Sequence, residues 1–83
     1  MPLNLVDFVT YMHSRRYTID YIGQIRAKLI IAEKAGITEE DMLTYPPEIL
    51  IKRIYPETPS RSVRKAHIAA QNRYLDFLKE QAA

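Results

Sequence analysis

Proline and glycine divide this chain into short segments and so limit the length of any element it can form. Pro46 and Pro47 stand together, Pro56 and Pro59 follow them, and Gly36 interrupts the first half of the chain. Proline is tolerated in the first turn of a helix but not deeper, and glycine just past a helix end favours a left-handed stop. No segment between these residues alternates apolar and polar side chains, so the sequence predicts helices and no strands.

Apolar spacing and capping residues predict the two N-terminal helices. The first covers about residues 4–13, and Asn4 with Asp7 resembles a capping box at its start. Its apolar face consists of Leu5, Phe8, Val9 and Met12. Thr18 is the predicted N-cap of a second helix that ends at Gly36. The apolar face of this second helix consists of Ile22, Ile25, Leu29 and Ala32.

Three further helices are predicted in the second half of the chain. Thr38 caps the single turn "TEEDML", and Pro46-Pro47 opens "PPEILIKRIY". The last helix begins at Ser60 or Ser62 and continues to about Gln81. Its predicted apolar arc consists of Val63, Ala70, Tyr74, Phe77 and Leu78.

A chain of 83 residues is predicted to form one domain over residues 1–83. We expect an all-α fold, a compact bundle of four to five short helices. One core is predicted to consist of Phe8, Ile25, Leu29, Tyr74 and Phe77. Gly23 lies inside the second helix, where glycine is costly, and is interpreted as a close packing contact in preference to an approach site for a partner.

Several functional classes find no support in the sequence. The chain has no cysteine, which excludes disulfides and thiolate metal sites, and no apolar run approaches the roughly 20 residues that cross a bilayer. His13 and His67 have no ligand motif around them and are interpreted as ordinary helix-flank histidines. We therefore expect a cytoplasmic protein without cofactor, metal, membrane or small-molecule substrate, and no catalytic constellation.

Charge is unevenly distributed along the chain. Residues 14–35 carry five basic and two acidic residues, and residues 60–73 carry four basic residues and no acid. The intervening residues 36–59 carry five acidic and two basic residues. Two basic segments separated by an acidic one indicate a polyanionic partner more strongly than the net charge of +2 does.

Two helix starts beside arginines are candidate phosphate sites. Arg15 and Arg16 precede the second helix, where free amide groups, the helix dipole and the Thr18 hydroxyl all favour an anion. A second phosphate is expected at the Ser62 helix start, held with Arg61, Arg64 and Lys65. Asn72, on the exposed side of the last helix, could contact a base edge. The predicted DNA-binding residues are Arg15, Arg16, Tyr17, Thr18, Lys28, Arg61, Ser62, Arg64, Lys65, Asn72 and Arg73.

The order of these signals resembles a known family. A short amphipathic helix, then "SRRYTIDYIGQIRAKLIIAEKAG", an acidic turn, "PPEILIKRI" and "SRSVRKAHIAAQNRYLDFL" are similar to the N-terminal SAM-like, core-binding domain of tyrosine recombinases, the phage integrase family. The resemblance implies a module that binds double-stranded DNA near a crossover site. It also implies an N-terminal fragment of a longer recombinase, in which a C-terminal catalytic domain cleaves the strands.

Two other functions compete with this interpretation. A protein–protein interaction domain would use an apolar patch formed by Ile31, Ile68 and Leu75. A helix-turn-helix regulator ranks lower, because the proline-containing connections make poor tight turns between a scaffold helix and a recognition helix.

Overall fold

Five helices make up this computed structural model, which describes residues 2–82. They are α1 (Leu5–Ser14), α2 (Ile19–Lys34), α3 (Glu39–Thr44), α4 (Pro47–Ile54) and α5 (Arg61–Ala82). The central pair is α2 and α5, α1 packs across both, and α3 and α4 cover the remaining side of α5. The predicted all-α fold of four to five short helices is confirmed, and within residues 2–82 no strand forms.

Local capping chemistry sets most of the helix boundaries. The Thr18 hydroxyl accepts a hydrogen bond from the Tyr21 amide, and Thr38 and Asp41 form a reciprocal capping box. Asn4 caps α1 by accepting from the Asp7 amide, but its own backbone amide donates to the Tyr74 hydroxyl at 2.7 Å, so the predicted capping box is only half formed. These caps confirm that short-range signals suffice to begin three of the helices.

The start of α5 corrects one prediction. Ser60, the residue before the helix, accepts a hydrogen bond from the Val63 amide and therefore acts as the N-cap. Ser62 lies inside the first turn with its side chain exposed. The alternative start at Ser62, on which the second phosphate site depended, is therefore wrong.

All five residues predicted to share the core are buried. The ring of Phe8 lies 5.3 Å from that of Tyr74 and 5.7 Å from that of Phe77, so α1 and α5 meet through aromatic contacts. Leu29 of α2 is 1 % exposed and belongs to the same cluster. The two ends of the chain are therefore joined in one core.

Two polar residues of α5, His67 and Gln71, are also buried, which the sequence interpretation missed. The Gln71 side-chain amide donates to the carbonyls of Met42 and Tyr45. These carbonyls lie at the C-terminal end of α3, where the helix itself supplies no amide donors. The Tyr55 hydroxyl and His67 Nε2 lie 2.7 Å apart, so His67 is a core residue and not a helix-flank histidine. These bonds attach α3 and α4 to α5.

The ends of α1 and α2 share one geometry but use different residues. In α2, the Gly36 and Ile37 amides donate to the carbonyls of Glu33 and Ala32, and Gly36 has a φ of +87°. In α1, the Arg16 and Tyr17 amides make the equivalent bonds, and Arg16 has a φ of +64°. Each is a Schellman end, which requires a left-handed residue.

Arg16→Gly is therefore expected to stabilise the domain by about 0.5 to 1 kcal/mol, because a side chain in the left-handed region strains the backbone. Urea denaturation measures the change. Ala35→Gly, next to the left-handed Gly36, is a control that adds the same backbone freedom at a residue with a φ of −83° and should destabilise. Equal effects of the two substitutions would show that no strain resides at Arg16.

Gly23 does not make the packing contact predicted for it. A Cβ built at this position meets no atom of residues 2–82 within 4 Å, apart from its own helix and chain neighbours. Gly23→Ala is therefore expected to raise the free energy of unfolding by about 1 kcal/mol, through helix propensity alone. Gly36→Ala, which forces alanine to a φ of +87°, should lower it, and denaturation of both variants tests the contrast.

Candidate nucleic-acid interface

A surface groove follows the line along which α2 and α5 pack together. It is lined by Tyr21, Gln24, Ile25, Ala27, Lys28, Lys65, Ala66 and Ala69. We call this surface the basic groove, because two lysines line it, Lys28 from α2 and Lys65 from α5. None of the described residues that line it carries a carboxylate. Ala66 and Ala69 keep the α5 wall low, so an approaching backbone can come close to both lysines.

Lys28 also lies beside the buried His67. Both residues line a small cavity whose other lining residues are mainly apolar, and the positive charge of Lys28 adds to burial in lowering the pKa of His67. The imidazole has Tyr55 as its hydrogen-bond partner. His67 does not line the basic groove, so the charge on this side of the groove comes from Lys28.

Tyr21, which lines the basic groove, is stacked on Tyr17. The rings of Tyr17 and Tyr21 lie 5.2 Å apart with an interplanar angle of 30°. Arg73 donates from Nη1 to the Tyr17 hydroxyl at 2.8 Å, and its guanidinium carbon is 5.9 Å from the centre of that ring. The bond to Tyr17 is the main cause that raises the pKa of Arg73. Arg73 also pairs with Asp76 at 3.3 Å, so its charge is partly compensated.

Arg15 does not lie where the sequence placed it. It is the C-cap of α1, its guanidinium forms an ion pair with Glu80 near the end of α5, and its charged carbon is 5.3 Å from the centre of the Tyr11 ring. The bond to Glu80 raises the pKa of Arg15. In this structure its charge is directed to α5 and does not join the amide groups at the start of α2.

The remaining predicted residues are separated over several surfaces. Arg16 and Thr18 are exposed at the turn before α2, where the Thr18 oxygen is already used as a cap. Arg64 points into a hollow shared with Lys52 and the connection of residues 55–59, whereas Lys65 faces the basic groove. Arg64 and Lys65 therefore line different surfaces and are not brought together at Ser62 in the way predicted. Arg61, Ser62 and Asn72 are exposed on α5.

The predicted apolar patch is also changed by the structure. Ile68 and Leu75 are half-buried and Ile31 is 36 % exposed, whereas Leu43 of α3 is 66 % exposed. Leu43 borders an apolar groove with Leu75, Leu78 and Ala82 of α5. This groove lies between α3 and α5, and only Leu75 of the predicted patch contributes to it.

Other kinds of site find no geometric basis in the described chain. No three His, Asp or Glu side chains of residues 2–82 come together as metal ligands. None of the described helices combines the length and the apolar character needed to cross a membrane. Comparisons with protein-family models, with curated proteins and with solved structures find no match.

Proposed function

We propose that this chain is a duplex-DNA-binding module that contacts the sugar–phosphate backbone through the basic groove. The observation that carries the proposal is the position of Lys28 and Lys65, which face one groove whose described lining contains no carboxylate. Lysines on two packed helices present fixed positive charge to one stretch of polyanion. The resemblance to recombinase core-binding domains supports the same partner, and a cytoplasmic location is part of the same proposal.

Groups beside the lysines fit the same partner. Gln24 lines the groove and Asn72 is exposed on α5, and their side-chain amides can donate to and accept from base edges. Arg61 is exposed one turn before Lys65 and extends the positive charge along α5. In this proposal the lysines supply affinity without regard to sequence, the amides supply sequence preference, and any strand cleavage belongs to a separate catalytic domain.

The salt dependence of duplex binding tests the proposal. The binding constant K is measured by the fluorescence anisotropy of labelled duplexes of unrelated sequence. K should fall as salt rises, with a slope of log K against log salt of about −0.9 for each phosphate contacted. Two lysine contacts predict a slope of about −1.8 or steeper. Absence of duplex binding at low salt would overturn the proposal.

A protein-interaction role rests on a different surface. The groove between α3 and α5 exposes Leu43 beside Leu75 and Leu78, and apolar side chains of this kind suit a protein partner. Its association would persist at high ionic strength, whereas binding to phosphates would not. Leu43→Glu should abolish such association and leave duplex binding by the basic groove intact.

A further inference from the structure

The C-terminal half of α5 carries two carboxylates that form ion pairs with arginines. Glu80 pairs with Arg15, and Asp76 pairs with Arg73. With Tyr11, Tyr17 and Lys79, these four residues line a hollow that we call the α1–α5 junction. Three cations therefore converge there around two acids.

The α1–α5 junction is adjacent to the basic groove. Tyr17 lines the junction, Tyr21 lines the groove, and their rings are stacked on each other. Along α5, the rise from Lys65 to Arg73 is about 12 Å at 1.5 Å per residue. A DNA strand advances about 3.4 Å per nucleotide, so a strand held at Lys65 reaches Arg73 within a few nucleotides.

Both ion pairs are accessible enough to be exchanged. The side chains of Arg15 and Glu80 are 49 % and 53 % exposed, and those of Arg73 and Asp76 are 34 % and 45 % exposed. In ion pairs this exposed, the attraction favours the paired state over the unpaired state only by a factor of roughly 1.5 to 5. Arginine binds phosphate through the same planar fork of donors that it uses for a carboxylate. A phosphate can therefore replace either carboxylate at little cost.

We propose that the α1–α5 junction is a second phosphate site of the DNA interface, which Glu80 and Asp76 occupy until DNA displaces them. This inference rests on the proposed function, since the strand must already lie in the basic groove. The two carboxylates thereby lower the affinity of the module for any single phosphate. They favour a strand long enough to engage the groove and the junction together.

Glu80→Gln tests the proposal, and Glu33→Gln is the control variant with the same net charge. Glu33→Gln raises the net charge by the same unit, and Glu33, in the last turn of α2, forms no ion pair with the residues described. Glu80→Gln should strengthen binding of a labelled duplex two- to fivefold more than Glu33→Gln at the same salt. Equal effects of the two variants would overturn the proposal, because net charge alone would then explain them.

Arg15→Gln supplies the complementary measurement. If the Arg15 guanidinium takes a phosphate, its removal should flatten the slope of log K against log salt by about 0.9. An unchanged slope would overturn the inference, while the slope of the parent protein would still support the basic groove. Failure of the parent protein to bind duplex at low salt would instead overturn the proposed function itself. Thermal unfolding of each variant confirms that the fold is retained.

Discussion

Replacing Leu29 by alanine is expected to lower the free energy of unfolding by about 2 to 5 kcal/mol. Leu29 is 1 % exposed in the middle of α2 and packs in the cluster that holds Phe8, Tyr74 and Phe77. The substitution removes buried apolar atoms and leaves a cavity that the surrounding rings fill only in part. A domain of this size has a total stability of about 5 to 15 kcal/mol, so the loss is a large fraction.

Ile31→Ala is the matched control for this prediction. Ile31 lies on the same helix, two positions away, but is 36 % exposed. Its truncation to alanine should cost under about 1 kcal/mol, because alanine has the better helix propensity and less burial is lost. Urea denaturation measures both variants. A loss below about 1 kcal/mol for Leu29→Ala would contradict the assignment of Leu29 to the core.

The double variant Lys28→Gln with Lys65→Gln is expected to weaken duplex binding by one to two orders of magnitude, roughly, near 0.1 M salt. It should also flatten the slope of log K against log salt by about 1.8, since two phosphate contacts no longer release counterions. Both lysines line the open basic groove, and glutamine removes the charge while it keeps the first two methylenes of each side chain, about half of the aliphatic stem. Salt titrations of a labelled duplex provide both quantities.

The double variant Lys34→Gln with Lys52→Gln is the control, because it removes two positive charges from other surfaces of the protein. Lys34 is exposed at the end of α2, and Lys52 is exposed on α4. Neither lines the basic groove. We expect this pair to reduce binding only slightly and to leave the slope near that of the parent. If the two double variants behaved alike, the protein would bind DNA through its net charge and not through the groove.

Signals that act over a few residues were predictable from the sequence. Thr18, Thr38 and Gly36 start or stop helices through bonds to residues at most four positions away, so their neighbours in the chain determine their roles. The choice between Ser60 and Ser62 was not predictable, because both carry the same hydroxyl and both adjoin Arg61, within three residues of Val63. Only the observed bond to the Val63 amide distinguishes them.

Contacts between distant residues account for the rest. Nothing near Arg15 in the chain indicates that it pairs with Glu80. The two residues are 65 positions apart and meet only because α1 packs on α5. His67 and Gln71 were missed because their polarity was weighed above their spacing. With Tyr74 and Leu78 they recur at intervals of three and four residues, which is the spacing of a buried helix face.

Phe8 reaches its aromatic partners Tyr74 and Phe77 only after α5 has been synthesised. Until then α1 and α2 can pack only on each other, because α5, which contacts both, is the last helix of residues 2–82 in chain order. Contacts between residues this far apart in the chain form late and slowly. The aromatic part of the core is therefore completed only when residues 61–82 have joined α1 and α2.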